Sequence, residues 1–231
     1  MMKWQKKDFT GEEMFRGIFF LQGDVVNHLE SLHADLDKLK VSQKANPESV
    51  EYFESFVDEI VAQIELLDPD YFDNFKSQFE SNNYYSIELA LSNGTSMIKA
   101  AGLKSEELSG VFRLMLEIEN KKVDFESEDM KKLDFKNQED VAKLKSILKN
   151  DYSIDLDDEQ YSVACVPVAA VCVVYAAAAV VSVAAVAYTA VAAVNATAWV
   201  TVYAWVEVWG GTQSQPSIAS NNVLVKEIAN F

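Results

Sequence analysis

Cys165 and Cys172, the two cysteines of the chain, offer one definite chemistry, the formation of a disulfide. In a continuous helix their Cα atoms would stand about 10.5 Å apart, beyond the ~7 Å that a disulfide can span. A bridge therefore requires a loop, which Pro167 favours because proline cannot donate a hydrogen bond from an interior helical turn. The alternative is a pair of reduced cysteines in an apolar helix.

The other residues with chemical potential do not form a recognisable site. His28 and His33 are about 140° apart around a helix, so they do not make a metal-binding pair on one face, and we expect surface histidines. The acidic stretch 155–159 lacks the glycine and the distal glutamate of a calcium loop, and it is typical of an exposed, protease-accessible hinge. Since no phosphate-binding glycine loop is present either, we predict no enzymatic activity, no cofactor and no metal.

The charges are unevenly distributed along the chain. Residues 1–160 contain 19 of the 20 Lys and Arg and 34 of the 36 Asp and Glu, whereas residues 161–206 contain none of either. An acidic surface cannot replace the counterions of a phosphate backbone, which excludes nucleic acid as the expected partner of the first part. It also disfavours docking of that part on anionic lipid.

The uncharged segment 161–206 contains 15 valines and 16 alanines and no glycine. As a helix it would extend about 69 Å, enough to cross a ~30 Å hydrocarbon core twice as a helical hairpin. A bend is expected near Asn195, and the tryptophans that follow suit the headgroup region. The predicted membrane-inserting residues are Val168, Val173, Val180, Val186, Val191, Trp199, Trp205 and Trp209.

Two alternatives compete with that prediction. Residues 197–208 alternate with the period of a β-strand, but an isolated strand in lipid leaves its backbone groups unsatisfied, which favours a helix. The whole segment could also be a buried helical core of the acidic domain, although its length exceeds what one buried helix needs.

Residues 1–158 read as an acidic all-α carrier domain. Thr10–Glu13 fits a capping box that opens a helix through Phe19. Leucines at intervals of three or four predict a second helix after Gly23, and Asn46–Glu48 starts a third that ends at Asp68–Pro69. Further helical patterns cover residues 71–79, 87–101, 106–118 and 139–148.

These patterns divide the chain into three parts. The acidic all-α domain, residues 1–158, precedes a long Ala/Val-rich hydrophobic helical segment, residues 159–209, and residues 210–231 form a linker and a C-terminal tail. No secretion signal is recognisable, because the apolar run 18–21 is far shorter than the apolar region of a signal peptide and follows acidic residues.

The chain resembles the sporulation-delaying protein family of antimicrobial peptide precursors. EEMFRGIFFLQGDVV, residues 12–26, is similar to the N-terminal signature of that family. DYFDNFKSQFESNNYYSIELAL, residues 70–91, is similar to its aromatic helix and polar turn. CVPVAAVC, residues 165–172, with the Ala/Val run after it, looks like the toxin peptide, which has a disulfide near its N-terminal end.

The resemblance implies a secreted precursor, a bacteriocin that a processing protease cuts on both sides of the apolar segment. The released peptide would insert into bacterial membrane lipid and dissipate the proton-motive force of competing cells, while a membrane immunity protein protects the producer. The resemblance also implies a disulfide between Cys165 and Cys172. The alternative is a membrane-anchored protein whose acidic helical domain is the functional part.

Overall fold

The computed structural model describes residues 9–45, 47–124, 127–133, 138–156 and 218–230. All regular structure in these residues is helical, so the prediction of an all-α fold is confirmed for them. The α-helices are α1 (Gly11–Phe20), α2 (His33–Ala45), α3 (Glu48–Leu67), α4 (Tyr71–Glu80), α5 (Tyr84–Lys104), α6 (Ser109–Asn120), α7 (Glu128–Lys131), α8 (Gln138–Tyr152) and α9 (Ile218–Ala229). Among the described helices, none combines the length and the apolarity that crossing a bilayer would need.

The first helix begins at the predicted capping box. The Thr10 hydroxyl accepts a hydrogen bond from the Glu13 amide at 3.1 Å, and the Glu13 carboxylate accepts one from the Thr10 amide at 2.7 Å. Two backbone donors that have no partner inside the helix are thereby satisfied. The helix ends at Leu21, which has a left-handed backbone with φ of 57°.

The second predicted helix starts later than its leucine spacing indicates. Residues Val25–His28 and Glu30–Leu32 form two 3-10 turns, separated by an extended Leu29, and the α-helix begins only at His33. Val25 and Val26 are neighbours and both are buried. The extended backbone of Leu29, with φ of −113° and ψ of 90°, interrupts the α-helical path that the leucine spacing predicts.

The remaining predicted helices are present, and several extend further than predicted. Helix α3 ends at Leu67, directly before Asp68 and Pro69. Helix α5 begins at Tyr84 because the Asn83 side chain accepts hydrogen bonds from the amides of Tyr85 and Ser86. Helices α7 and α9 were not predicted from the sequence, and α9 lies in the part predicted to be a linker and tail.

The chain divides into two compact units. The first contains residues 1–42, 55–101 and 205–231, and its core is built on aromatic rings from α1 and α4. The Phe15 ring lies with its centroid 4.6–5.9 Å from the rings of Phe19, Phe20, Tyr71, Phe72 and Phe75. Most of these pairs are edge-on, the arrangement that aromatic quadrupoles favour.

The second unit contains residues 43–54 and 102–204. Its described core includes Phe112, Leu144, Leu148 and Ile154, each almost fully buried. Phe112 packs on Gly102, where an ideal Cβ would lie 2.1 Å from the ring. This close approach requires a glycine, and it draws α5 and α6 together at their connection.

Candidate functional site

The residues that the sequence analysis selected for function lie outside the described residues. This applies to Cys165 and Cys172, and to the predicted membrane-inserting residues Val168, Val173, Val180, Val186, Val191, Trp199, Trp205 and Trp209. The structure does describe the chain on both sides of the apolar segment. The candidate site is therefore the pair of flanks that carry this segment.

The N-terminal flank is held at the end of α8. Ser153 has a left-handed backbone with φ of 55°, and the Ile154 amide donates to the Leu148 carbonyl at 2.9 Å. This hydrogen bond closes the helix, and the Ile154 side chain is fully buried. The Lys149 ammonium contacts the Asp155 carboxylate at 2.6 Å. The chain therefore enters the acidic stretch from a held position in the second unit.

The C-terminal flank is held by α9, which packs in the first unit. Leu224, Val225 and Ile228 are buried, with 2–5% of their surface exposed. The Glu227 carboxylate accepts hydrogen bonds from the Ser31 amide at 3.1 and 3.2 Å and from the Ser31 hydroxyl at 2.5 Å. These bonds join residues that are 196 positions apart in sequence.

The position of Ser31 explains why it receives a carboxylate. Ser31 lies in the 3-10 turn Glu30–Leu32, and Leu29, which occupies the N-cap position of that turn, provides no side-chain hydrogen bond. Amides at the start of a helical turn have no partner within it and attract negative charge. Glu227 therefore supplies a cap that the local sequence lacks.

The sequence analysis missed both residues of this contact. Glu227 is one of only two acidic residues after position 160, and buried Leu224, Val225 and Ile228 surround it at helical spacing. This apolar pattern around Glu227 could have predicted a short buried helix. A pattern of about one turn does not show which residue the carboxylate binds.

The motif at residues 12–26 and Gly11, directly before it, pack in the first unit next to this flank. An ideal Cβ on Gly11 would lie 1.8 Å from the Phe72 carbonyl oxygen, and one on Gly17 would lie 2.6 Å from the Val25 Cβ. Both glycines therefore permit close approach of neighbouring backbone and side chains. Met14, Ile18 and Val25 of the motif line a small void together with Ile228, so the motif lies beneath α9.

Arg16, the charged residue in the middle of this motif, makes structural ion pairs. Its guanidinium contacts the Glu12 carboxylate at 2.6 Å and the Asp58 carboxylate at 2.7 Å, which connects α1 to α3. Burial acts to lower the pKa of Arg16, but hydrogen bonds with Asp58 and Glu12 and their negative charges outweigh it and raise that pKa. Arg16 stays charged and fixes the two helices at this point.

A cleft of about 500 Å³ lies between α4 and α5. Its lining residues are Asp68, Tyr71, Asn74, Phe75, Gln78, Ala90, Asn93, Ser96, Met97 and Ala100. The Tyr71 hydroxyl and the Gln78 carbonyl oxygen are buried, with no hydrogen-bond partner among the described residues. Burial, and to a smaller degree the charge of Asp68, raises the pKa of Tyr71, so its hydroxyl stays neutral at a pH where an exposed tyrosine ionises.

The two histidines are exposed, as the sequence analysis expected of surface residues. The His33 Nε2 atom lies 3.2 Å from the Asn27 carbonyl, and the His28 ring meets the edge of Phe9 with centroids 5.8 Å apart. Within the described residues, no group of three or more His, Cys, Asp or Glu side chains could hold a metal ion.

Comparisons with known proteins give one family and one curated relative at a significant level. The family described as sporulation delaying protein family toxin matches residues 6–231. The uncharacterized protein YitM of Bacillus subtilis (strain 168) is 30% identical over 102 residues, which cover 43% of this chain and 44% of that protein. The chain thus matches less than half of the length of this relative. No solved structure matches.

Proposed function

This chain belongs to the sporulation delaying protein family of toxins, and from this premise we propose that it is the precursor of a secreted hydrophobic antimicrobial peptide. The peptide corresponds to residues 159–209. Residues 1–158 are its acidic helical carrier, and the segment folds in lipid as a long helix or a helical hairpin.

The observation that carries the proposal is the uncharged segment 161–206 within a chain that the toxin family matches from residue 6 to residue 231. Its 15 valines contribute about −5 to −9 kcal/mol on the scale of insertion into membranes, with alanine close to neutral. A folded soluble domain of this size would normally have charged residues over about a quarter of its length. The segment therefore suits lipid as its final environment.

The proposed action is direct dissipation of the proton-motive force of a target cell. Burial of valine, alanine and tryptophan in lipid favours insertion, and the sparse polar groups Ser182, Thr189 and Asn195 offer a path for water and ions. This action needs neither a catalytic residue nor a cofactor. Its partner is bacterial membrane lipid, and nucleic acid is not involved.

Release requires a processing protease that cuts on both sides of the segment. The acidic stretch 155–159 and the linker 210–217 are the proposed places, because four of the five residues of the first are acidic and the second consists of small or polar residues, as suits an exposed chain. Outside the cell, an oxidising compartment favours the disulfide between Cys165 and Cys172. A membrane immunity protein in the producer completes the set of proposed partners.

The test isolates the peptide from the medium of producing cells and applies it to sensitive bacteria with a membrane-potential dye. We expect a free species that covers approximately residues 162–209, is lighter by two hydrogens than its reduced mass, and depolarises intact cells. Ala178→Lys in the precursor places a charge in mid-span at a cost of about 3 kcal/mol, which lowers partitioning about a hundredfold. Depolarisation should fall accordingly.

Ala178→Leu is the matched control, because it changes the same position without adding charge and should leave depolarisation intact. An unchanged membrane potential at peptide concentrations that bind the membrane would reject the toxin mechanism. Detection of the segment only in full-length, cell-bound chain would instead support the membrane-anchored alternative.

A further inference from the structure

The position of α9 gives the C-terminal part of the chain a role of its own. We propose that α9 is a latch, a helix packed noncovalently against the N-terminal residues of the first unit, which keeps the C-terminal side of residues 161–217 attached after the chain is cut. The docking is independent of the proposed toxin activity, whereas its consequence for peptide release rests on that function.

The polar part of the latch is directional. The Glu227 carboxylate binds both the amide and the hydroxyl of Ser31, at the start of a turn that has no local cap. Residues 1–160 carry 34 of the 36 acidic side chains, so an added carboxylate is repelled by most of that surface. The amides at the start of the Ser31 turn attract the Glu227 carboxylate instead, and this favours a single position of α9 on the first unit.

The apolar part of the latch reaches the core. Leu224, Val225 and Ile228 are buried, whereas 48% of the Val223 surface is exposed. Ile228 lines a void of about 20 Å³ together with Met14, Ile18, Val25, Leu29 and Phe79. Three of these residues, Met14, Ile18 and Val25, belong to the motif at residues 12–26, so that motif forms part of the receptor for α9.

The latch makes two cuts necessary for release. Hydrolysis of one peptide bond before residue 161 frees the N-terminal end of the apolar segment, but its C-terminal end remains joined to α9 and thereby to the carrier. A second hydrolysis, in the linker 210–217, separates the peptide and leaves α9 behind. The peptide therefore leaves the carrier only after both cuts, and the carrier keeps residues 218–230 as a bound fragment.

The experiment uses the full chain in mild detergent, with the recognition sequence of a specific protease in place of residues 212–216. An affinity tag at the N-terminus and an epitope tag after Phe231 mark the two products. After complete cleavage, the N-terminal product is captured, and the epitope that stays with it is followed over time. We expect the C-terminal fragment to remain bound.

Three variants test the contacts. Leu224→Asp should abolish retention, and Glu227→Ala should speed dissociation at least about tenfold, the usual effect of losing a hydrogen bond to a charged group. Val223→Asp, on the exposed side of the same helix, should behave as the parent chain. Circular dichroism of the uncut variants checks folding, and Leu224→Ala and Glu227→Gln, the milder changes at the same positions, replace Leu224→Asp or Glu227→Ala if either fails to fold.

Loss of the parent fragment as fast as that of Leu224→Asp would overturn the latch, and so would equal losses for Val223→Asp and Leu224→Asp. These outcomes are separate from the toxin assay. A retained fragment with an inactive released peptide would remove the proposed function but keep the latch, whereas a lost fragment with an active peptide would do the reverse.

Discussion

Tyr71 combines a buried ring with a buried hydroxyl that makes no hydrogen bond to the described residues. Its ring packs against Phe15, Phe72 and Phe75, while its hydroxyl has no hydrogen-bond partner among the described residues. A buried hydroxyl without a partner costs about 1–3 kcal/mol, since it has lost its hydrogen bonds to water. The aromatic contacts must outweigh that cost.

Tyr71→Phe removes the hydroxyl and keeps the ring, so we expect the free energy of unfolding to stay the same or rise by about 1 kcal/mol. Tyr152→Phe is the matched control and should lower it by about 0.5–1.5 kcal/mol, because the Tyr152 hydroxyl accepts a hydrogen bond from the Asp124 amide. Urea denaturation measures both. A loss of more than 1 kcal/mol for Tyr71→Phe would contradict the unpartnered hydroxyl.

A comparison of Tyr71→Phe with the parent chain also tests the raised pKa of Tyr71. An unfolded tyrosine ionises near pH 10, but burial, followed by the charge of Asp68, keeps Tyr71 neutral in the folded chain at that pH. The folded state therefore retains the proton while the unfolded state releases it, and stability falls as pH rises above about 10. The advantage of Tyr71→Phe over the parent chain should widen in that range.

At the scale of elements, α1 and α4 approach each other through glycine. The ideal Cβ position of Gly11 lies 1.8 Å from the Phe72 carbonyl oxygen, which belongs to the backbone and cannot move aside as a flexible side chain could. The Phe15 ring cluster depends on that approach, because its members come from both helices.

Gly11→Ala should therefore lower the free energy of unfolding by about 3 kcal/mol, the upper part of the range for overpacked positions. Gly23→Ala is the control, since its Cβ meets nothing within 4 Å and only its φ of 76° is strained, which costs about 1–2 kcal/mol. Thermal denaturation compares the two. If Gly11→Ala is no worse than Gly23→Ala, α1 does not lie against the Phe72 backbone.

Helix α9 depends on tertiary packing for its helical form. It has 12 residues, and isolated helices of that length are marginal in water because nucleation is costly. Its helical form is therefore supported mainly by burial of Leu224, Val225 and Ile228 in the first unit.

At the scale of the whole molecule, the packing of α9 means that the free energy of unfolding of the first unit depends on residues from both ends of the chain. Replacement of residues 159–215 by a Gly/Ser linker of equal length should leave a helical protein that unfolds cooperatively. Truncation after residue 158 should lower the free energy of unfolding by at least about 2 kcal/mol, since losing one buried leucine typically costs 2–5 kcal/mol. Urea midpoints of the two chains decide the matter, and equal midpoints would show that α9 does not stabilise the carrier.

Much of the fold followed from local patterns. The capping box at Thr10–Glu13, the end of α3 before Pro69 and the all-α class were predicted because each depends on residues within a few positions of one another. The 3-10 turns after Gly23 were not, since the leucine spacing there is helical and does not show that Leu29 takes an extended backbone between the two turns.

The sequence by itself determined the family, the charge division and the uncharged segment 161–206, because these depend on residue types along the chain. Only the tertiary structure showed that residues 218–229 form a helix and that Glu227 caps a turn at Ser31. The physical reason is distance in sequence. A short, weakly amphipathic segment does not identify its own partner, and this carboxylate lies 196 positions along the chain from the amide that it stabilises.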